Sequence, residues 1–159
     1  MKRPLRQPRL HAQGVAAVEF AILLPVILLL LAAPLFLGWI FWHYSVAEKA
    51  AQDAARILAK ATAAEIRTPG AGGTEAPIAA AARAVVMAEI AELNPGPYAP
   101  GVEVMCDGGV CFGFQIPTNV TVRVTLPLYD EFLGAFTSSF TGGDQILVKA
   151  VATTTYVGN

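Results

Sequence analysis

The feature that most constrains this chain is a run of 23 residues, from Phe20 to Trp42, that contains no charged side chain. A helix of that length spans about 34 Å, which is enough to cross a hydrocarbon core of about 30 Å. A buried helix of a soluble domain is usually shorter, and a cleaved secretory signal has an apolar region of only about 7–15 residues. The run therefore predicts a membrane-spanning helix.

The residues on either side of this run predict its orientation. Residues 1–13 carry four basic side chains and no acidic one, whereas Trp39, Trp42 and Tyr44 form an amphipathic belt at the other end. Basic flanks stay in the cytoplasm, and aromatic belts lie at the headgroup layer. We therefore expect a single-pass protein with a cytoplasmic N-terminus. The chain after about residue 45 is then outside, which in a bacterium is the periplasm.

Glu19 directly precedes the apolar run, at a position where a carboxylate is unfavourable. One interpretation is that its side chain simply reaches the headgroups. The other depends on Gly14, because cleavage after Gly14 would give Val15 a free amine one helical turn away from Glu19. The carboxylate would then pair with its own amine or with that of a neighbouring subunit.

The segment from Gly14 to Pro25, GVAAVEFAILLP, resembles the processing motif of type IV pilin-like proteins and is closer still to TadE-like pseudopilins of the tight-adherence (Tad/Flp) pilus. That motif is a basic leader, a Gly, a Glu at the fifth mature position and an unbroken apolar helix. The resemblance implies that a prepilin peptidase cuts between Gly14 and Val15. It implies that Glu19 and Phe20 belong to the processing motif and that Glu19 aligns subunits. The implied partners are the inner membrane, the peptidase, other pilins or pseudopilins, and Tad assembly proteins.

Three regions are predicted: a cleaved leader over 1–14, a membrane-spanning and continuing helix over 15–67, and a periplasmic α+β region over 68–159. Residues 45–67 are good helix formers without Gly or Pro. We expect their stripe of mostly small residues to cover the chain's own sheet, although packing against another subunit is the alternative. The stripe comprises Ala47, Ala50, Ala54, Leu58, Ala61 and Glu65.

The rest of the chain predicts one more helix and a small antiparallel sheet, and hence a pilin-like α+β fold. The helix is expected over 75–93, with Thr74 as its N-cap and Pro77 in its first turn. Alternating apolar residues then indicate short strands. The predicted strands are Val102–Met105, Val110–Phe114, Val120–Leu126 and Ile146–Val157, with a loop or short helical turn over 129–140.

The two cysteines are predicted to form a disulfide. If Gly108 and Gly109 form a two-residue turn, Cys106 faces Cys111 with their Cα atoms about 4.5 Å apart, which is within the range for a disulfide. An extracytoplasmic location is oxidising and favours the bond. A metal or redox pair is the alternative, but it lacks partner ligands in the outer region.

No catalytic, cofactor or metal site is predicted. Both histidines, His11 and His43, are expected in the leader or at the membrane, so the outer region has none for a Ser-His-Asp, Cys-His or zinc site. The formal net charge of −1 argues against nucleic-acid binding, and we expect no small-molecule substrate. The prediction is a non-enzymatic minor pseudopilin acting in pilus assembly, adhesion or secretion. The alternative is an uncleaved, signal-anchored periplasmic binding module.

Overall fold

The structure is a computed structural model that describes residues 10–93, 98–129, 134, 138, 142 and 145–158, with side chains from residue 14 onwards. The chain divides into two compact units, Met1–Trp39 and Ile40–Asn159. We call the second unit the head. A long N-terminal helix, shorter helices and a four-stranded antiparallel sheet make the fold α+β, as predicted.

The helices whose bounds lie within the described residues are α1, α2 and α3, with two single turns of 3₁₀ helix between and after them. Their bounds are Leu10–Lys60 for α1, Ala63–Ile66 for α2, Pro77–Ile90 for α3, and Ala71–Gly73 and Ala91–Leu93 for the 3₁₀ turns. The strands follow in the C-terminal half. They are β1 at Gly101–Cys106, β2 at Gly109–Val110, β3 at Asn119–Tyr129 and β4 at Gln145–Thr155.

The long helix ends at Lys60, seven residues before the predicted end at residue 67. A capping box at Thr62 starts the separate helix α2: the Glu65 N–H donates to Thr62 Oγ1 at 3.3 Å, and the Thr62 N–H donates to Glu65 Oε2 at 2.8 Å. Glu65 therefore caps a helix and does not extend the buried stripe. Thr-x-x-Glu is a helix-start pattern that the sequence already contained.

The capping box also affects the ionisation of Glu65. The backbone N–H of Thr62, and then its hydroxyl, hold the pKa of the Glu65 carboxyl below its usual value. Because the folded-state pKa is lowered, this contribution to stability is present above the unfolded-state pKa and is lost as the pH falls through the folded-state value.

The C-terminus of the chain is attached to the end of α1. The Val157 N–H donates to the carbonyl of Ala59 at 2.9 Å, and the Tyr156 hydroxyl donates to the carbonyl of Ala61 at 2.8 Å. The last carbonyls of a helix lack partners within that helix. The segment that follows β4 therefore supplies donors that α1 itself cannot.

The core of the head confirms that the small-residue stripe of α1 covers the chain's own fold. Its members up to Ala61 are all buried, as are residues spaced at three and four along α3 and every second residue of β3. Small side chains let the helix approach closely, and the valines and leucines of β3 fill the space. The α3 and β3 residues are Ala79, Ala82, Val86, Ile90, Val120, Val122, Val124, Leu126 and Leu128.

Helix α3 begins two residues later than predicted, and Thr74 is not its N-cap. The Thr74 hydroxyl instead donates to the carbonyl of Ala71 at 2.9 Å. Ala76 occupies the N-cap position, and Pro77 follows at the first helical position, where its missing N–H costs no hydrogen bond. The Ala76 N–H donates to the carbonyl of Cys111 at 2.7 Å, which ties this helix start to the hairpin.

The sheet has the strand order β2-β1-β3-β4, and every neighbouring pair is antiparallel. Val122 lies opposite both Val104 and Ala152, so β3 is an interior strand, as is β1. Strand β2 is shorter than the predicted strand at 110–114. Most of the loop predicted over 129–140, and the segment 94–97 after α3, lie outside the described residues.

Candidate processing and assembly site

The predicted processing segment lies near the start of α1 and is helical throughout. Its side chains are exposed, with Val15 at 59% and Phe20 at 61% of their full accessible area. Glu19 is exposed as well. Its carboxylate forms no hydrogen bond or ion pair with any described residue. The segment thus presents an available carboxylate on a helix.

The helix places Glu19 one turn after Val15, the spacing at which side-chain and backbone groups meet. In the intact chain the Val15 nitrogen belongs to a peptide bond and carries no charge. Only a cut between Gly14 and Val15 would convert it into an ammonium that can pair with the carboxylate. Glu19 can therefore pair with a charged Val15 nitrogen only after the chain has been cut.

Gly14 is the least favourable helix former in this part of α1. Glycine in a helix interior is less favourable than alanine by about 1 kcal/mol. A Cβ added at Gly14 would meet no heavy atom within 4 Å. No contact within the described chain therefore requires glycine at this position.

The helix that follows has the dimensions of a membrane anchor. Within the described residues, Gly14–Lys60 is the one helix long and apolar enough to cross a membrane, and its most apolar 18-residue window is entirely unburied. A core helix of a soluble protein would instead bury that window. The helix therefore fits a single-pass anchor, as the apolar run predicted.

Residues 14–56 match the family model of TadE-like proteins. This part of the chain is TadE-like. The TadE-like segment begins at Gly14, contains Glu19 and Phe20, and ends at Arg56 within the head, so the resemblance read from the sequence is confirmed. The sheet of the head lies outside the segment. The chain matches no curated protein and no solved structure.

Beyond the TadE-like segment, the predicted disulfide between Cys106 and Cys111 is confirmed, with their Cα atoms 4.9 Å apart. The predicted turn was wrong by one residue. Asp107 and Gly108 form it, with φ of 50° and 84°, and Cys106 lies opposite Gly109. Cys111 therefore follows β2 and is not part of the strand pairing.

The side chain of Asp107 explains the register of this turn. Its carboxylate accepts hydrogen bonds from the Thr118 N–H at 3.0 Å and from the Asn119 N–H at 2.8 Å, and its own N–H donates to the Asn119 carbonyl at 2.9 Å. Aspartate is also among the few residues that tolerate a positive φ. The start of β3 thus holds Asp107 in the turn.

We expect removal of the disulfide to destabilise the head. Closing so short a loop stabilises a fold by roughly 2 kcal/mol in the chain-entropy description. The double variant Cys106→Ser, Cys111→Ser should therefore unfold at lower denaturant concentration than the wild type in the same detergent. Wild-type protein treated with reductant is the matched control and should unfold at the same denaturant concentration as the variant. Equal stability of the variant and the oxidised wild type would show that the bond contributes nothing.

The sequence interpretation missed an exposed apolar loop that this disulfide supports. Residues after the turn alternate as predicted, but only two of them pair with β1. The loop also packs on the α2–α3 connection, because a Cβ added at Gly113, whose φ is 83°, would overlap the Thr68 carbonyl. Its exposed side chains are Val110, Phe112, Phe114 and Ile116.

His43 belongs to the head, in which the sequence predicted no histidine. It is a buried residue of the head, 2% exposed, and its Nε2 lies 3.3 Å from the carbonyl of Leu93. The sequence could not indicate this contact, because Leu93 lies 50 residues away along the chain. Among the described residues, no group of three or more His, Cys, Asp or Glu side chains is arranged to hold a metal ion.

Proposed function

We propose that this chain is a minor pseudopilin of a Tad/Flp pilus that a prepilin peptidase cuts between Gly14 and Val15. The observation that carries the proposal is the TadE-like segment itself, in which Gly14 and the exposed, available Glu19 lead directly into an unburied apolar helix. A chain that only needed an anchor would gain nothing from a carboxylate at the edge of its span.

In this proposal the protein inserts into the bacterial inner membrane with its N-terminus in the cytoplasm and its head in the periplasm. The four basic residues of the leader support that orientation. Cleavage removes them and produces the Val15 ammonium. Glu19 then pairs with that ammonium, in the same subunit or in a neighbouring pilin, where a medium of low dielectric strengthens the attraction.

The head then serves as the part that other pilus components contact, in assembly, adhesion or secretion. Its disulfide suits an oxidising compartment, which supports a periplasmic location. The proposed partners are the peptidase, other pilins or pseudopilins and Tad assembly proteins. No chemical reaction is assigned to the chain.

The mature N-terminus tests the proposal. The protein is produced in cells with and without a prepilin peptidase, extracted from membranes and analysed by intact-mass and N-terminal sequencing. We expect Val15 as the first residue when the peptidase is present and Met1 when it is absent. A chain that keeps its leader in both strains would instead be a signal-anchored module.

A further inference from the structure

Strand β4 lies at the end of the sheet, so one of its edges has no neighbouring strand in the described part of the chain. It pairs with β3 over its whole length, from Gln145 to Thr155. The Tyr156 N–H donates to the Thr118 carbonyl at 2.9 Å in the same register. Even-numbered residues therefore direct their peptide groups at β3, and odd-numbered residues direct theirs outward.

The outward N–H and C=O groups of β4 have the spacing that a further strand would pair with. From Leu147 to Thr155, these groups form no hydrogen bond with any described residue. Natural proteins usually protect such an edge with proline, a bulge or several charges. Strand β4 has no proline, an unbroken register with β3 and one charged residue, Lys149. A second extended backbone satisfies such a row of donors and acceptors.

The side chains on the exposed face of β4 indicate what that second strand carries. Leu147 and Val151 lie on either side of Lys149 on this face and are 55% and 53% exposed. Apolar or β-branched residues opposite them on an added strand would make favourable cross-strand contacts. Lys149 lies opposite Thr125, and its diagonal neighbour is the cation Arg123. No described carboxylate pairs with Lys149.

The neighbouring strands already contain the pair that Lys149 lacks. The Arg123 guanidinium donates to the carboxylate of Glu103, directly opposite on β1, at 2.9 Å. An acidic residue on a strand added beyond β4 would make the same cross-strand contact with Lys149. A second copy of β4 fits poorly, because residues 145–155 contain no acid and would place another lysine near Lys149.

We propose that the free edge of β4 binds an extended segment of a partner protein that carries an acidic residue opposite Lys149 and apolar or β-branched residues opposite Leu147 and Val151. The partner strand extends the sheet to five strands and continues its exposed face. The proposal concerns the head alone and does not depend on cleavage at Gly14.

The test uses the purified full chain in detergent micelles and a labelled peptide, KTVTETVTK, whose central Glu has Val two residues away on each side. Because it reads the same in both directions, either strand orientation presents the required face. Fluorescence anisotropy measures its Kd against that of KTVTKTVTK. We expect the Glu peptide to bind the wild type about fivefold more tightly, and Lys149→Glu to reverse that order.

A backbone substitution separates edge binding from attraction between charges. Val151→Pro removes an outward N–H without touching the ladder to β3, and should weaken the Glu peptide about tenfold, whereas Val151→Thr should not. Circular dichroism checks that both variants keep the sheet. Absence of wild-type binding at about 1 mM peptide, equal affinity for both peptides, or an unaffected Val151→Pro variant would overturn the proposal.

The same preparations distinguish the other outcomes. Concentration-dependent dimerisation of the wild type that Val151→Pro abolishes would assign the edge to a second copy and would also overturn the proposal. The mature N-terminus is read by mass spectrometry on each sample. A chain that begins at Val15 and binds neither peptide contradicts only the β4 proposal, and one that begins at Met1 and binds selectively contradicts only the processing proposal.

Discussion

A Gly14→Val variant is expected to accumulate in the membrane as the uncut precursor, with processing reduced at least about tenfold, because a pocket that fits glycine excludes a branched side chain. Valine also narrows the backbone conformations that the chain adopts when the helix opens at the cut bond. The fold itself should not change, since a Cβ at position 14 meets nothing within 4 Å. Intact-mass spectrometry of membrane extracts measures the ratio of precursor to mature protein.

The chain offers a close control for this experiment. Gly38 lies in the same helix, and a Cβ added there also meets nothing within 4 Å. Gly38→Val should therefore be processed like the wild type, which shows that an extra side chain on α1 does not by itself prevent insertion or cleavage. If Gly14→Val matured at the wild-type rate, the cut would lie elsewhere and the proposed processing motif would be wrong.

A Glu19→Gln variant is expected to insert and mature normally but to lose assembly into pili by at least about tenfold, because removing one partner of a desolvated ion pair leaves the other charge unpaired. Insertion should not suffer, since a neutral amide costs less than a carboxylate at the membrane edge. The measurement compares three quantities in a host with the matching pilus system: the membrane-extracted protein, its N-terminus, and surface pili counted by electron microscopy.

The matched control for Glu19 is Glu48 on the same helix. Its Oε1 accepts a hydrogen bond from Gln52 Nε2 at 3.4 Å, and no membrane surrounds that exposed contact in the proposed topology. Glu48→Gln should therefore assemble normally. Wild-type piliation with Glu19→Gln would mean that the carboxylate has no pairing role, whereas loss of maturation would mean that it acts earlier, at the peptidase.

Features that depend on neighbouring residues in the chain were predictable. Charge-free length predicted the apolar helix, and the motif from Gly14 to Phe20 predicted the similarity to TadE-like proteins that the family model finds over residues 14–56. The start of α2 also depends on neighbouring residues, since Thr62 and Glu65 form a capping box. The prediction missed it because residues 45–67 are a continuous run of good helix formers. The end of α1 was therefore a missed local signal and not a tertiary effect.

The hairpin shows where local reasoning stops. Cys106 and Cys111 were correctly paired because any tight turn between them brings them close. The register differed by one residue, because Asp107 is held in the turn by the N–H groups of Thr118 and Asn119. Those donors are eleven and twelve residues away along the chain. The sequence of the turn alone therefore could not predict their contact with Asp107.

Composition, spacing and period along the chain were enough to predict the membrane-length helix, the TadE-like segment, the α+β class and the disulfide. Packing was needed to show that His43 is buried against the Leu93 carbonyl, that Asp107 turns the hairpin, and that β4 ends the sheet with an edge that no described strand covers. Those three outcomes depend on contacts between residues far apart in the chain. Such contacts are set by how the helices and strands pack, which no short segment encodes.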